Sequence, residues 1–509
     1  MSKRIAIIGA GVGGMAAGIR LAAQGHEVQI FERNARVGGK LNLVEEGEWR
    51  FDTGPSLLTM PDVARDLFAA AGASLDEELE LLPLDPICRY FYPDGIIFDA
   101  SSDEQRMMAA ISEFSERDAD NFPRFLDYGR RVYEVTAQPF LYSPLEAKRV
   151  GKAFLHQLHR PQDLGRVLAP MTLDALVRSY FRDPHMRQLF DRYATYNGSS
   201  PFRTPAVYAI IPYVEYGFGA WYPRGGMYQI AEALLGLLAK VGATVHTNAP
   251  VRQIRCELSK GATGVELVDG TVHTADAVIA NVDIATTYRR LVPTDFRPRA
   301  TLDRLDAMEP SLSGFVLLLG TDCRFDQLQH HNIFFAHDYR EEFSDIFTRL
   351  VAPRDPTIYV CATSRTDPTQ APPGGENLFV LVNAPYISNE FSWAAERETY
   401  RDLVIDKLES MGLHGLREHI VFEQCITPDD LAARYGAQRG AIYGFSSNSL
   451  FAPFQRPRNR SAIPGLYFAG GSVHPGGGLP LVMLSGKIVA ELVEQDFARA
   501  ANQGRTVAR

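Results

Sequence analysis

The chain has 509 residues, 46% hydrophobic and 22% charged, with a formal net charge of −9. That length is ample for a large core and suggests roughly three domain-sized units, while the mild acidic balance argues against a nucleic-acid binder. The five cysteines, Cys88, Cys256, Cys323, Cys361 and Cys425, show no C-x-x-C pair and no metal-ligand spacing, so they read as small buried apolar residues in a reducing cytosol.

The first sixty residues read as strand, tight turn, helix, strand. Ile5-Ala6-Ile7-Ile8 is the continuous apolar run that a buried parallel strand needs. Gly9, Gly11 and Gly14 follow as G-x-G-x-x-G, opening a helix whose face continues through Gly18 and Ala22. In this pattern the first glycine permits the turn, the second lets the backbone approach a pyrophosphate, and the third lets helix and strand pack closely. The free N–H groups and dipole of the helix start hold the phosphate charge. Glu32 ends the next apolar strand, where an acid accepts hydrogen bonds from a ribose 2′-OH. The basic start and apolar run also imitate a secretory signal, but the glycine spacing speaks for a nucleotide loop, and no cleaved leader is expected. No run of about 20 uninterrupted apolar residues suggests a membrane-spanning helix.

A second glycine pair, Gly38-Gly39, sits just after the acid in ERNARVGGKLN, and FDTGPSLLTMP occupies residues 51–61. From about Leu82 the pattern changes. RYFYPDGIIFDA (89–100) is a hairpin turning through Pro93-Asp94-Gly95, placed at an edge of a second sheet. Helical, charge-mixed segments then run to about residue 200. Within them, residues 145–168 carry Lys148, Arg149, Lys152, Arg160 and Arg166 against Glu146 and Asp163, interleaved with apolar side chains. Two readings stay open there: a basic amphipathic helix lying on a membrane face, and a solvated helix packed on its own core. Downstream, Gly225-Gly226 opens an apolar helix, ATVHTNAPVRQI (243–254) reads as a strand pair, and ADAVIANVD (275–283) as a returning strand. Alternating segments around PSLSGFVLLLG and NLFVLVNAPYI suit a second sheet. The chain closes with GLYFAGGSVHPGGGLPLVMLSG: a buried strand, a glycine turn, and a helix with Pro480 in its first turn, where a missing N–H costs nothing.

The second glycine pair after a ribose acid resembles the flavin-binding subgroup that includes amine oxidases and phytoene desaturases. VGGK, FDTGPSLLTMPDV, GAWYPRGGM and GGSVHPGGGLP extend the likeness to phytoene desaturase-type carotenoid oxidoreductases over nearly the full length. HHNIFF, residues 355–378, TPDDLAARYGAQRGAIYG and SVHPGGGLPLVMLSG look closer to one branch, the bacterial diapocarotenoid terminal oxidases, although branches that insert double bonds share many of these phrases. The resemblance implies an α/β fold in which a Rossmann-like FAD-binding unit (1–85, 221–290 and 441–509) is interleaved with a helical substrate region (86–220), membrane-facing in one of the two readings above, and a mixed-sheet substrate domain (291–440). It implies FAD as cofactor, with Arg33, Gly38, Gly39 and Lys40 running along it and Gly54 and Pro55 near the ring. The Val251 backbone would meet the adenine, Gly470, Gly471 and Ser472 the ribityl chain, and Gly478, Leu479 and Pro480 would bring a helix N-terminus to the ring. Lys40 stands where the family often has arginine, which keeps the charge but loses bidentate contact.

A long polyene can give up an allylic hydride because the cation left behind is delocalised along the chain. Loss of a neighbouring proton then makes a double bond; capture by water at a terminal methyl makes an alcohol and, after a second oxidation, an aldehyde. The expected activity is therefore oxidation of a linear carotenoid, at terminal methyl groups by the branch resemblance, with desaturation as the alternative and oxygen or a quinone as electron acceptor. The expected location is the cytoplasm, peripheral to the inner face of the cell membrane. No catalytic side chain is compelled. His474, beside the glycine loop, is the candidate proton carrier, with a packing or hydrogen-bonding role as its alternative. His330 and His331 form a ligand pair on paper, but no carboxylate or cysteine stands at metal spacing, and no metal is expected. Two other classes share the fold. Amine oxidases need an aromatic cage that the His-Pro-Gly-Gly-Gly loop does not suit. The Rab GDP-dissociation inhibitors bind lipidated proteins without flavin, and the intact glycines and Glu32 speak against them.

Overall fold

The computed structural model describes residues 2–146, 151, 161–167 and 169–507; most of the basic stretch 145–168 lies outside the described residues. The first strand, Arg4–Ile8, is buried from Ile5 onward. It pairs in parallel on both sides, with Ile5 opposite Val28 of Glu27–Phe31 and opposite Ala277 of Ala277–Ala280. Leu466–Phe468 extends the sheet beyond Ala277–Ala280, and Thr244–His246 extends it beyond Glu27–Phe31. Parallel neighbours need crossover connections and covered faces, which is why these strands are unbroken apolar runs. Three distant stretches of chain thus share one sheet. The helix Val12–Ala23 leaves the first strand, and the C-terminal helix Leu479–Val507 crosses it closely. A Cβ on Gly486 would lie 2.7 Å from both Ala16 Cβ and Gly13 O.

The segment read as a strand pair does not pair with itself. Thr244–His246 joins the parallel sheet, whereas Val251–Glu257 heads an antiparallel sheet with Gly261–Leu267 and Val272–Thr274. Between them Asn248 sits at φ 52°, a left-handed conformation that asparagine tolerates, and Pro250 has no N–H to continue a ladder.

A seven-stranded mixed sheet forms the second layer. Its order is Ile420–Ile426, Ser313–Thr321, Glu376–Ala384, Ile358–Cys361, His331–Phe334, Cys88–Phe91, Ile97–Ala100. All neighbours are antiparallel except His331–Phe334 with Cys88–Phe91, and the hairpin expected at residues 89–100 forms one edge. Ser313–Thr321 is buried throughout. A helical layer contains Glu116–Thr136, Leu173–Tyr180 and Pro184–Asp191. It packs through Phe122, Phe125, Phe181 and Phe190, the last two stacked at 4.5 Å. Among the described residues no helix is long and apolar enough to cross a membrane.

Candidate active site

A cavity of about 1040 Å³ is lined by the carboxyl ends of the parallel strands, by the mixed sheet and by the helical layer. It sits at the upper end of the range for ligand pockets, about 300–1,000 Å³, and where open α/β sheets place their ligands.

At the parallel sheet, Gly9, Gly11, Glu32 and Arg33 line the cavity. The helix Val12–Ala23 starts from Gly11 with no side-chain cap, so its first-turn N–H groups remain for an anion. Gly14 is not in the lining. A Cβ there would stand 2.4 Å from Gly9 O and 2.9 Å from Asn281 Cβ, so it serves helix–strand packing. Glu32 is 5% exposed. Its Oε2 accepts the Ala10 N–H at 2.9 Å, and its Oε1 accepts from Asn34 N at 2.9 Å and Asn34 Nδ2 at 2.8 Å. Carboxylate oxygens accept more than one bond each, which leaves capacity for a ligand hydroxyl.

Gly38, Gly39 and Lys40 form the next part of the wall, with Gly54, Pro55 and Val251. Arg33 donates to the carbonyls of Ala433 at 2.8 Å and of Arg434, and Lys40 Nζ to those of Ala441 at 3.4 Å and of Ile442. Both cations thus tie the early loop to residues 433–442. Burial pulls the Lys40 ammonium down to about 8, partly offset by Asp283. By surface area Lys40 is exposed, but the surface it exposes lines the cavity, so filling that space removes water from it. Asp52, just before Gly54-Pro55, accepts from Met227 N at 2.9 Å, Tyr228 N at 3.0 Å and the Tyr222 hydroxyl at 3.1 Å. It joins FDTGP to the start of the helix Gln229–Lys240, and burial raises its carboxyl to about 6 despite those bonds.

The chain's last segment supplies Gly470, Gly471, Ser472, His474, Gly478, Leu479 and Pro480. Ser472 Oγ accepts the Ile284 N–H at 3.0 Å. Gly478 precedes the helix Leu479–Val507, and a Cβ on it would meet nothing within 4 Å. His474 is 3% exposed, its Nε2 lies 3.0 Å from the Ser143 carbonyl, and burial lowers it to about 4. It is therefore a neutral ring donating Nε2–H to that carbonyl.

Sequence reasoning missed three groups in this wall. Asn281 follows the strand Ala277–Ala280 and stands between Gly11 and Gly470, its Nδ2 donating to Ala469 O at 3.0 Å. Arg456 donates to Gly471 O at 3.0 Å; burial pulls its guanidinium down, and among the described residues no carboxylate pairs with it. Arg192 and Tyr196 also line the cavity, and Glu215 binds Arg192 at 3.3 Å, the Tyr193 hydroxyl at 2.7 Å and the Tyr196 hydroxyl. The only signal for this last group is the aromatic-rich run DRYATY within the charge-mixed helical region. Away from the glycine loops the wall includes an apolar stretch of Ile211, Val214, Ile333, Phe379 and Leu381.

Residues 12–494 match the family model described as flavin containing amine oxidoreductase. The chain belongs to this family. As a flavin-containing amine oxidoreductase family member it is an FAD-dependent oxidoreductase, and the cavity fits that cofactor: an uncapped helix start for a diphosphate, an acid at the strand end, and a second helix start at Gly478 facing open space. The chain is 35% identical over 499 residues to a 4,4′-diapolycopene oxygenase of Methylomonas sp, covering 97% of this chain and 99% of the relative. It is also 35% identical over 500 residues to a 4,4′-diaponeurosporene oxygenase of Staphylococcus aureus, covering 98% and 99%. Among solved structures, an oxidoreductase from Methanosarcina mazei matches with TM-score 0.64 at 20% identity, over 96% of this chain and 100% of that one. Putrescine oxidase bound to putrescine matches with TM-score 0.62 at 16% identity, over 97% and 99%. These structural likenesses establish the fold of the family member and nothing about its substrate.

Proposed function

We propose that this flavoprotein oxidises the terminal methyl groups of a linear carotenoid, a diapocarotenoid by the names of its relatives, to the aldehyde. The observation that carries the reading is 35% identity across 97–98% of the chain to the two oxygenases. The wall that continues from the glycine loops into Ile211, Val214, Ile333, Phe379 and Leu381 supports it, because such a surface suits a polyene.

In this reading Gly9 and Gly11 admit the diphosphate, Glu32 takes the ribose, the Val251 backbone meets the adenine, and Arg33, Gly38, Gly39 and Lys40 run along the cofactor. Gly54 and Pro55 lie near the ring, Gly470, Gly471 and Ser472 near the ribityl chain, and Gly478, Leu479 and Pro480 present the helix N-terminus. Bound there, FAD supplies the two-electron oxidation. The chain's own part is positioning: the apolar wall excludes water from most of the polyene, so only the end that reaches the polar loop can be captured by water. Arg456 donates to Gly471 O and holds the backbone of that loop in place. His474 is neutral and donates its Nε2–H to the Ser143 carbonyl, so the proton released on capture passes to water. Leu450, Phe451 and Phe454 line the cavity while 43%, 68% and 40% exposed. A rim of that kind is suited to lie against the inner face of the cell membrane, where a polyene dissolves. The electron acceptor is oxygen or a quinone.

The test is expression in bacteria that accumulate lycopene, neurosporene or their thirty-carbon analogues. The expected pigment gains one oxygen and loses two hydrogens at a methyl, with the oxygen arriving from isotopically labelled water. Loss of two hydrogens alone would transfer the reading to desaturation. Label arriving from molecular oxygen and none from water would exclude capture by water.

A further inference from the structure

Behind the cavity wall, two histidines and a cysteine converge. His331 opens the strand His331–Phe334 and stands opposite Cys361, the last residue of Ile358–Cys361, in an antiparallel pair. Side chains opposed in this way have Cβ atoms about 4.5–5.5 Å apart. His330 precedes the strand, its carbonyl accepting the Ala362 N–H at 2.9 Å, and its ring meets that of His331 edge to face at 4.4 Å. One ligand atom from each of the three residues lies within 4.8 Å of the other two, and the residues are 4%, 2% and 1% exposed.

On each imidazole one nitrogen is engaged and one is not. His330 Nδ1 lies 2.6 Å from Thr366 Oγ1, and His331 Nδ1 lies 2.7 Å from the Tyr359 hydroxyl. The Nε2 atoms of both rings are buried without a hydrogen-bond partner, and Cys361 is a free thiol. Buried polar atoms are ordinarily satisfied, and metal-bound histidines typically anchor their second nitrogen on an oxygen. Both features occur here together.

We infer that His330, His331 and Cys361 form a binding site for one divalent d-block cation, of which Zn²⁺ is the working probe. Two imidazole nitrogens and one thiolate suit a borderline-soft ion and not Mg²⁺ or Ca²⁺, which prefer oxygen. Binding forms two metal–nitrogen bonds and one metal–sulfur bond, releases the Cys361 thiol proton to solvent, and leaves a fourth position for water. Tyr359 and Ser56 line the flavin cavity, and the Tyr359 hydroxyl donates to Ser56 Oγ at 2.7 Å. The ion therefore sits one side chain behind the cavity wall and pins the loop at Thr366 to the mixed sheet. A second group, Asp322, Cys323 and His419, is more exposed, and His419 already pairs with Asp322 at 2.8 Å; it serves as the control.

The experiment uses the flavin-loaded enzyme, produced with added zinc and desalted. Metal content is measured by mass spectrometry and the ligands by zinc K-edge X-ray absorption. The expected result is about one zinc per chain, with one sulfur at about 2.3 Å and two imidazole nitrogens at about 2.0–2.1 Å. Cys361→Ser and His331→Gln each weaken zinc retention against a chelator at least about tenfold, as does Tyr359→Phe, which removes the oxygen anchoring His331. Cys323→Ser leaves retention unchanged. Wild-type enzyme that keeps no zinc, a first shell without sulfur, or retention that Cys361→Ser leaves intact would each overturn the inference. The wild-type absorption spectrum decides the matter even if a variant fails to fold.

Discussion

Asn281 Nδ2 lies 2.6 Å from the position a Cβ on Gly470 would occupy, and Asn281 Oδ1 lies 2.6 Å from that of Gly11. One side chain at the end of the strand Ala277–Ala280 therefore crowds both the first loop and the last. Asn281 also donates to Ala469 O at 3.0 Å, which fixes the strand end just before Gly470. Part of what forces side chains out of these loops is this asparagine, and the remainder is the cofactor cradle it frames.

Gly470→Ala meets that contact and a φ of +110°. It should destabilise the fold by about 1–3 kcal/mol and weaken FAD binding. Asn281→Ala removes the clash but not the backbone strain, so the double variant should lose less than the sum of the singles. Melting temperatures and flavin fluorescence titrations of the four proteins check this; strict additivity would contradict it.

The protein atoms around Lys40 disfavour its charge and lower it from 10.5 to about 8, although the side chain still reaches the open cavity. Its folded value lies below the ordinary 10.5, so the folded chain binds fewer protons than the unfolded one between those limits, and apo stability rises with pH across that window. FAD binding runs the other way, since an anion needs the charged form. Affinity should hold below pH 8 and weaken as pH rises through it. Lys40→Met should bind about tenfold more weakly at neutral pH, with a flat dependence. The measurement is an FAD titration across that range.

His474 is neutral because burial lowers it from 6.5 to about 4. The unfolded ring takes up a proton below 6.5 and the folded ring only near 4, so stability is lost as pH falls across that interval. The loss reaches about 3 kcal/mol at its acid end. His474→Gln should flatten the acid side of the stability curve, measured by urea unfolding at a series of pH values. It should move no inflection in the rate profile near the ordinary imidazole value; an inflection lost in the variant would restore the proton-carrier role.

Phe451→Asp places a charge on the exposed rim of the cavity. Burying an aromatic side chain is worth about 1.5–3 kcal/mol, so binding to anionic lipid vesicles should drop at least about tenfold. Melting temperature should stay unchanged, because the residue is 68% exposed. Cosedimentation with vesicles is the readout, and equal pelleting of both proteins would remove the rim from the membrane reading.

The features legible in the sequence are those carried by neighbouring residues. Ile5–Ile8 announces a buried strand because both faces of a parallel sheet are covered, and Gly9, Gly11 and Gly14 announce a phosphate loop because G-x-G-x-x-G between a strand and a helix is the pattern of a tight turn with a close backbone approach. Asp52 lies inside the legible FDTGP motif, yet its task of holding Met227 and Tyr228 leaves no local signal, since nothing nearby in the chain links two motifs so far apart. Residues 243–254 misled because two short strands in succession look like a pair, while the turn at Asn248 sends them to different sheets.

The amino-acid sequence by itself determined the nucleotide loop, the apolar strands and the family likeness, because backbone conformation and hydrophobic period are properties of residues close in the chain. The tertiary structure alone decided what stands across space from each of them: Asn281 against Gly470, Arg456 against Gly471, and Cys361 beside His330 and His331. Such contacts arise from sheet order and strand register, which pair residues by geometry and leave no mark in their spacing along the chain.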